Sequence, residues 1–190
     1  MTDSIYNNGI LKHEYIEKWT KIIQDEMRRP YNNNPSPRKI LDTDEDVIQR
    51  TNAKRQRVHD MRQGEIWQKI IGSLPGFIDL KKKHPSGLDL YNSEKNIYIE
   101  LKSASNTDNS SSLFYNFNKL AKVVQQGHYA MYAVVNDENE DGKEYICARD
   151  GCNITYLSGK KLYLFLFGEN YKQVISHLQY IRAMELKNQN

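Results

Sequence analysis

The sequence predicts an α/β fold: a mixed central sheet flanked by helices, with helices before the core and strands after it. Three observations lead there. The run Ile97-Tyr98-Ile99-Glu100-Leu101-Lys102 alternates strictly, so Ile97, Ile99 and Leu101 share one strand face and Tyr98, Glu100 and Lys102 the other. Residues 10 to 28 and 171 to 186 carry apolar residues at helical spacing. Between them the order helix, strands, helix, strand suits a sheet covered on both sides.

The elements follow in chain order. Residues 10 to 28 read as an amphipathic helix with Leu11, Tyr15, Trp19, Ile22, Ile23 and Met27 on one stripe. The stretch from Arg28 to Pro37 holds three prolines and cannot continue it. Residues 43 to 72 are helical, opening on Thr43 followed by three acids, as one helix or two. Leu74-Pro75-Gly76 stops that run. Phe77 to Leu80 is a first strand. Leu88-Asp89-Leu90 and Ile97–Lys102, joined by the polar turn Asn92 to Asn96, form a hairpin. Ser103 to Ser112 reads as a polar loop, and 113 to 127 as a helix ending at Gly127. Tyr129 to Val135, Lys143 to Ala148, Asn153 to Tyr156 and Leu162 to Phe167 are expected strands. The last helix buries Val174, Ile175, Leu178, Ile181 and either Met184 or Leu186.

At 190 residues the chain is expected to be one domain: an N-terminal extension over 1–50, a core over 58–136, and a C-terminal part over 137–190. The net charge of +3 does not by itself indicate nucleic acid. No run of 18 apolar residues predicts a membrane span, and Met1-Thr2-Asp3-Ser4 does not open a secretory signal. Cys147 and Cys152 have no partnering His pair, which argues against a zinc site. They read as reduced thiols of a cytoplasmic protein.

The chemistry sits on the hairpin. Pairing its strands brings Asp89, Glu100 and Lys102 to one point, and Gly87 permits close backbone approach. Adjacent carboxylates repel, so one takes up a proton unless a cation neutralises both. A hard divalent metal supplies that charge and prefers oxygen ligands. Two carboxylates, a metal and a lysine suit phosphodiester hydrolysis.

These residues, Asp89…Glu100-Leu101-Lys102, resemble the core motif of the PD-(D/E)xK nuclease superfamily, whose members include Type II restriction endonucleases. Gln63 to Gly72 resembles the first core helix of these enzymes. Asn106 to Ser112 resembles the segment after the catalytic lysine in small restriction endonucleases that cut short GC-rich sites. The resemblance covers roughly residues 58 to 136. It implies a restriction-endonuclease-like αβββαβ core. It implies Mg²⁺ as cofactor, held by Asp89, Glu100, Leu101 and Glu65, with Lys102 assisting the attacking water. Glu65 shares a helix face with Val58 and Met61. It reads as a direct or supporting metal ligand or as the exposed flank of the helix, and the resemblance favours the first.

Several segments read as DNA contacts. Arg50, Asn52, Lys54, Arg55 and Arg57, with Arg62, carry five cations in thirteen positions, and no acid falls between 50 and 59. Lys83 and His84 close a short basic run that either grips a phosphate or forms a turn. Ser105, Asn106, Thr107, Asn109, Ser110, Ser111 and Ser112 offer short donors and acceptors. On composition they could equally be a linker, but the segment leaves directly from Lys102. Lys119, Lys122 and Gln126 share one helix face, as backbone contacts or as a solvated surface.

The expected function is a Mg²⁺-dependent, sequence-specific endonuclease acting on double-stranded DNA. Cutting both strands of a symmetric site calls for a homodimer, and the resemblance implies a cognate methyltransferase acting on the same site. The alternatives are a structure- or mismatch-specific repair or resolvase nuclease on the same core, and a catalytically silent DNA-binding domain.

Overall fold

The computed structural model describes residues 5–30, 34–81, 83–104 and 109–187. It opens on a small hairpin, β1 (Tyr6–Asn7) and β2 (Ile10–Leu11). Tyr6 pairs with Leu11 around the two-residue turn Asn8-Gly9, both at positive φ (50° and 76°). Asn-Gly favours that turn because both positions must be left-handed. The helix expected from residue 10 therefore begins three residues later, as α1 (His13–Arg28). Trp19 and Ile23 are its buried anchors, and Trp19 Nε1 donates to Ser73 Oγ at 2.9 Å.

The segment read as one helix or two is a single helix, α2 (Asp44–Ile71). Thr43 and Asp46 form a reciprocal capping box at its start. At 1.5 Å per residue it is about 42 Å long. Only its end enters the core, through Ile66, Trp67, Ile70 and Ile71, while Ile48 and Met61 stay exposed. Charge fixes α1 to α2. The buried Glu26 takes Lys69 Nζ, and Arg62 donates to Met27 O at 3.3 Å and to Arg29 O.

A six-stranded mixed sheet follows, ordered β3-β4-β5-β6-β8-β7. Its strands are β3 (Phe77–Asp79), β4 (Leu90–Asn92), β5 (Ile97–Ala104), β6 (Tyr129–Asn136), β7 (Glu144–Arg149) and β8 (Cys152–Ser158). β5, β6 and β8 run parallel, and the remaining pairs are antiparallel. Helix α3 (Ser110–Gln125) connects β5 to β6. The order α2-β3-β4-β5-α3-β6 is the expected αβββαβ core. Ala130 to Val135 of β6 are all buried, as a strand covered on both faces requires. Ile99, Met131, Ala133 and Leu157 face the core shared with α1 and α2, while Tyr132, Val134, Ile154 and Tyr156 face α3.

Two expectations fail at the C-terminal side. Leu162 to Phe167 is not a strand but the body of α4 (Gly159–Phe167). The run is apolar all round, so periodicity did not separate strand from helix. Burial of Leu162, Leu166 and Phe167 follows the helical repeat, and Tyr163 Oη donates to Val135 O at 2.8 Å. The last helix, α5 (Tyr171–Lys187), buries Val174, Leu178 and Ile181, but Met184 and Leu186 are exposed. Glu185 takes the buried place. Its carboxylate accepts from Arg28 Nε and Nη2, both at 2.9 Å, and from Gln24 Nε2 at 2.9 Å. No described helix is long and apolar enough to cross a membrane.

Candidate active site

The β4–β5 hairpin builds the site. Leu90 pairs with Ile99, which sets Asp89 opposite Glu100. Backbone bonds hold Asp89 on both sides: its N–H donates to Ile99 O at 3.1 Å, and its carbonyl accepts from Leu80 N–H at 3.0 Å. Gln68 Nε2, from the end of α2, reaches the same carbonyl at 3.3 Å and Asp79 Oδ1 at 2.9 Å. The Asp89 side chain is aimed by Leu101 N–H, which donates to Oδ2 at 2.8 Å. Oδ1 takes no hydrogen bond among the described residues, so it is open to a further ligand.

Glu100 is only 3 % exposed, on the sheet face toward α3. Two ammonium groups hold it from opposite ends: Lys102 Nζ is 3.0 Å from Oε1 and Lys119 Nζ is 2.7 Å from Oε2. Lys119 also donates to Gly87 O at 2.8 Å. Gly87 has a φ of 65°, and a Cβ there would meet Lys119 Cδ at 3.3 Å. The left-handed φ favours glycine at this turn, and an added Cβ would press on the Lys119 side chain.

The two lysines do not fully compensate the carboxylates. Asp89 is pushed up to about 6, first by burial and then by the Glu100 charge, against the pull of Leu101 N–H, Lys102 and Lys119. A desolvated carboxylate pair suits a hard divalent cation, which prefers oxygen donors and would stabilise the ionised form of Asp89. Among the described residues no three His, Cys, Asp or Glu side chains cluster to hold a metal. The carboxylates brought together at the hairpin are Asp89 and Glu100, with the Leu101 N–H on Asp89 Oδ2.

Glu65 stands one helical turn before Gln68 and accepts from Arg29 Nη2 at 2.6 Å. Sequence reasoning missed Gln68 and Asp79 and placed Lys119 among DNA contacts. Gln68 was findable as the polar residue one turn beyond Glu65. Nothing in the sequence tied Lys119 to Glu100, since their meeting depends on how α3 crosses the sheet.

The expected DNA contacts divide. Arg50 binds Asp42 with both guanidinium arms (Nη1–Oδ1 2.8 Å) and holds that carboxyl down to about 2. Arg62 is engaged by the end of α1, and Lys54 donates to Asn34 O at 3.4 Å. Asn52, Arg55 and Arg57 are exposed along α2. Lys83 is exposed, and His84 Nδ1 lies 2.8 Å from Ser86 Oγ in the turn before Gly87. Ser105, Asn106 and Thr107 lie outside the described residues. The expected loop ends earlier than residue 112: Asn109 caps α3, accepting from Ser112 N–H at 2.8 Å, and Ser110, Ser111 and Ser112 form the helix's first turn. Lys122 and Gln126 line a groove of about 580 Å³ that runs past Gly87 and Lys119.

The family model of the Eco47II restriction endonuclease matches residues 37–171. The chain belongs to the Eco47II restriction endonuclease family. It is a Type II restriction endonuclease family of the PD-(D/E)xK kind, with sequence-specific, metal-dependent DNA cleavage as its general activity. The matched segment holds α2, the whole sheet, α3 and α4, and so every residue of the Asp89–Glu100 cluster. No curated protein and no solved structure matches the chain.

Proposed function

We propose that this member of the family hydrolyses phosphodiester bonds with Mg²⁺ held by Asp89, Glu100 and the Leu101 carbonyl. The observation that carries the reading is the convergence of Asp89, Glu100 and Lys102 on one hairpin, with Lys119 closing the far side. Magnesium, when bound, supplies positive charge to the scissile phosphate and lowers the pKa of a water. Lys102 orients the attacking water and stabilises charge developing on the phosphate. Lys119 holds the buried Glu100 side chain in place. Leu101 N–H fixes which oxygen of Asp89 faces outward. Glu65 is the auxiliary acid on α2, steadied by Arg29.

The whole chain acts as one nuclease unit, and a homodimer places two such sites on a symmetric sequence. Lys122 and Gln126, in the groove past Gly87 and Lys119, and Arg55 and Arg57, exposed further along α2, are the phosphate and base-edge contacts most open to duplex DNA. A cognate methyltransferase protects the same sequence in the host. The test is plasmid DNA with Mg²⁺ beside Lys102→Ala, Glu100→Ala and an EDTA lane. Discrete fragments lost in all three controls are the expected result. Smearing or nicking would favour a structure-selective nuclease, and no cleavage by folded protein would sink the reading.

A further inference from the structure

Helix α5 adds a cation to the cleft beside α2. A pocket of about 220 Å³ is lined by Arg55, His59, Arg62 and Gln63 from α2 and by Arg182 from α5. No carboxylate lines it. The acids nearest in sequence are engaged elsewhere: Asp60 by Gln56, Glu65 by Arg29 and Glu185 by Arg28. Arg182 Nη2 is 2.7 Å from His59 Nε2. With its amide turned so that the oxygen faces them, Gln63 accepts from Arg182 Nη1 at 2.8 Å, from Arg182 Nη2 and from His59 Nε2 at 3.1 Å. Burial lowers the Arg182 pKa, as expected of a cation drawn from water without a counter-ion.

The pocket's position gives the charge a purpose. A second cavity, of about 140 Å³, shares Gln63 and Arg182 and extends to Asn136 at the end of β6. Asn136 pairs with Ala104, two residues past Lys102 on β5, about 7 Å along the strand. The cationic pocket thus connects to the carboxyl end of the parallel strands, where open α/β sheets bind ligands. Arg182 meets no carboxylate among the residues that line this pocket, only the Gln63 amide and the His59 ring, and a guanidinium with N–H groups to spare suits a phosphate oxygen.

We propose that this pocket seats a backbone phosphate of the duplex flanking the scissile bond, with Arg182 and Arg55 as its contacting cations. The proposal rests on the nuclease reading above. It gives α5, which lies beyond the matched family segment, a part in holding the substrate.

The test measures the affinity of a 30-base-pair duplex of arbitrary sequence across a salt series, without divalent metal. The proteins are wild type, Arg182→Ala, Arg182→Lys and Arg55→Ala. Each alanine variant should weaken binding by roughly 3–10-fold on any sequence and reduce the slope of log K against log salt by about 1. Arg182→Lys should retain most of the slope. Arg55 is exposed, so its variant remains informative if Arg182→Ala unfolds. Unchanged affinity and slope in folded Arg182→Ala and Arg55→Ala, with wild type binding normally, would overturn the proposal and leave the nuclease reading intact. Thermal stabilisation of wild type by inorganic phosphate, lost in Arg182→Ala with the duplex slope unmoved, would also overturn it in favour of a free anion. Failure of wild type to bind or cut any duplex would defeat the nuclease reading, and this proposal with it.

Discussion

Lys119 Nζ lies 2.7 Å from Glu100 Oε2, across the carboxylate from Lys102. The lysine of the sequence motif therefore shares its glutamate with a second lysine from the next helix. Replacing Lys119 with Ala leaves the buried Glu100 half-compensated and pushes Asp89 further up. Cleavage by Lys119→Ala should fall roughly 10–100-fold in rate, with a smaller loss for Lys119→Arg. Single-turnover cleavage with saturating protein separates this from weakened DNA binding, and an unchanged rate would place Lys119 outside the chemistry.

Asp89 gives a pH prediction whose sign is fixed. Its folded pKa, about 6, lies above the 3.8 of an ordinary Asp, so the folded state holds the proton more tightly. The resulting stability is present in full below about pH 3.8 and is lost as the pH rises through about 6. Asp89→Asn should therefore stabilise the metal-free protein at pH 8, by about 1–3 kcal/mol, while abolishing cleavage. Urea unfolding at pH 8 and pH 4 is the measurement. A destabilised variant at pH 8 would contradict the strain assigned to this carboxylate.

Gly87 separates activity from stability. An added Cβ meets a left-handed backbone and the Lys119 side chain together. Gly87→Ala should cost about 1 kcal/mol in stability from backbone strain. Its cleavage rate should drop further than that loss explains, because Lys119 is displaced from Glu100. Parallel melting curves and cleavage rates check it.

Arg28→Ala strips both guanidinium bonds from the buried Glu185. It should lower stability by roughly 1–3 kcal/mol. Removing the charge as well, in Arg28→Ala with Glu185→Leu, should recover part of that loss.

The motif was legible because the chemistry and the strand share one pattern. Strict alternation from Ile97 to Lys102 assigns faces, and the polar turn from Asn92 to Asn96 sets which residues meet. Asp89 and Glu100 then had to face each other. Lys119 was visible only as a helix-face cation, since its partner lies 19 residues away across a crossover. The Asn8-Gly9 turn was present in the sequence but hidden by the apolar stripe that begins at Leu11. Leu162 to Phe167 misled for the opposite reason: every residue is apolar, and only packing over the sheet selects the helix. Glu185 sits among exposed Met184 and Leu186 because Arg28, far away in sequence, waits for it.

That last contact orders events in time. Arg28 and Glu185 are 157 residues apart, so their bond closes nearly all of the described chain into one loop. During synthesis α1 emerges early and remains without α5 until the final helix is made. Since α1 steadies α2 and α2 carries Gln68 to Asp89, the candidate site gains this brace only when residue 185 has joined the chain.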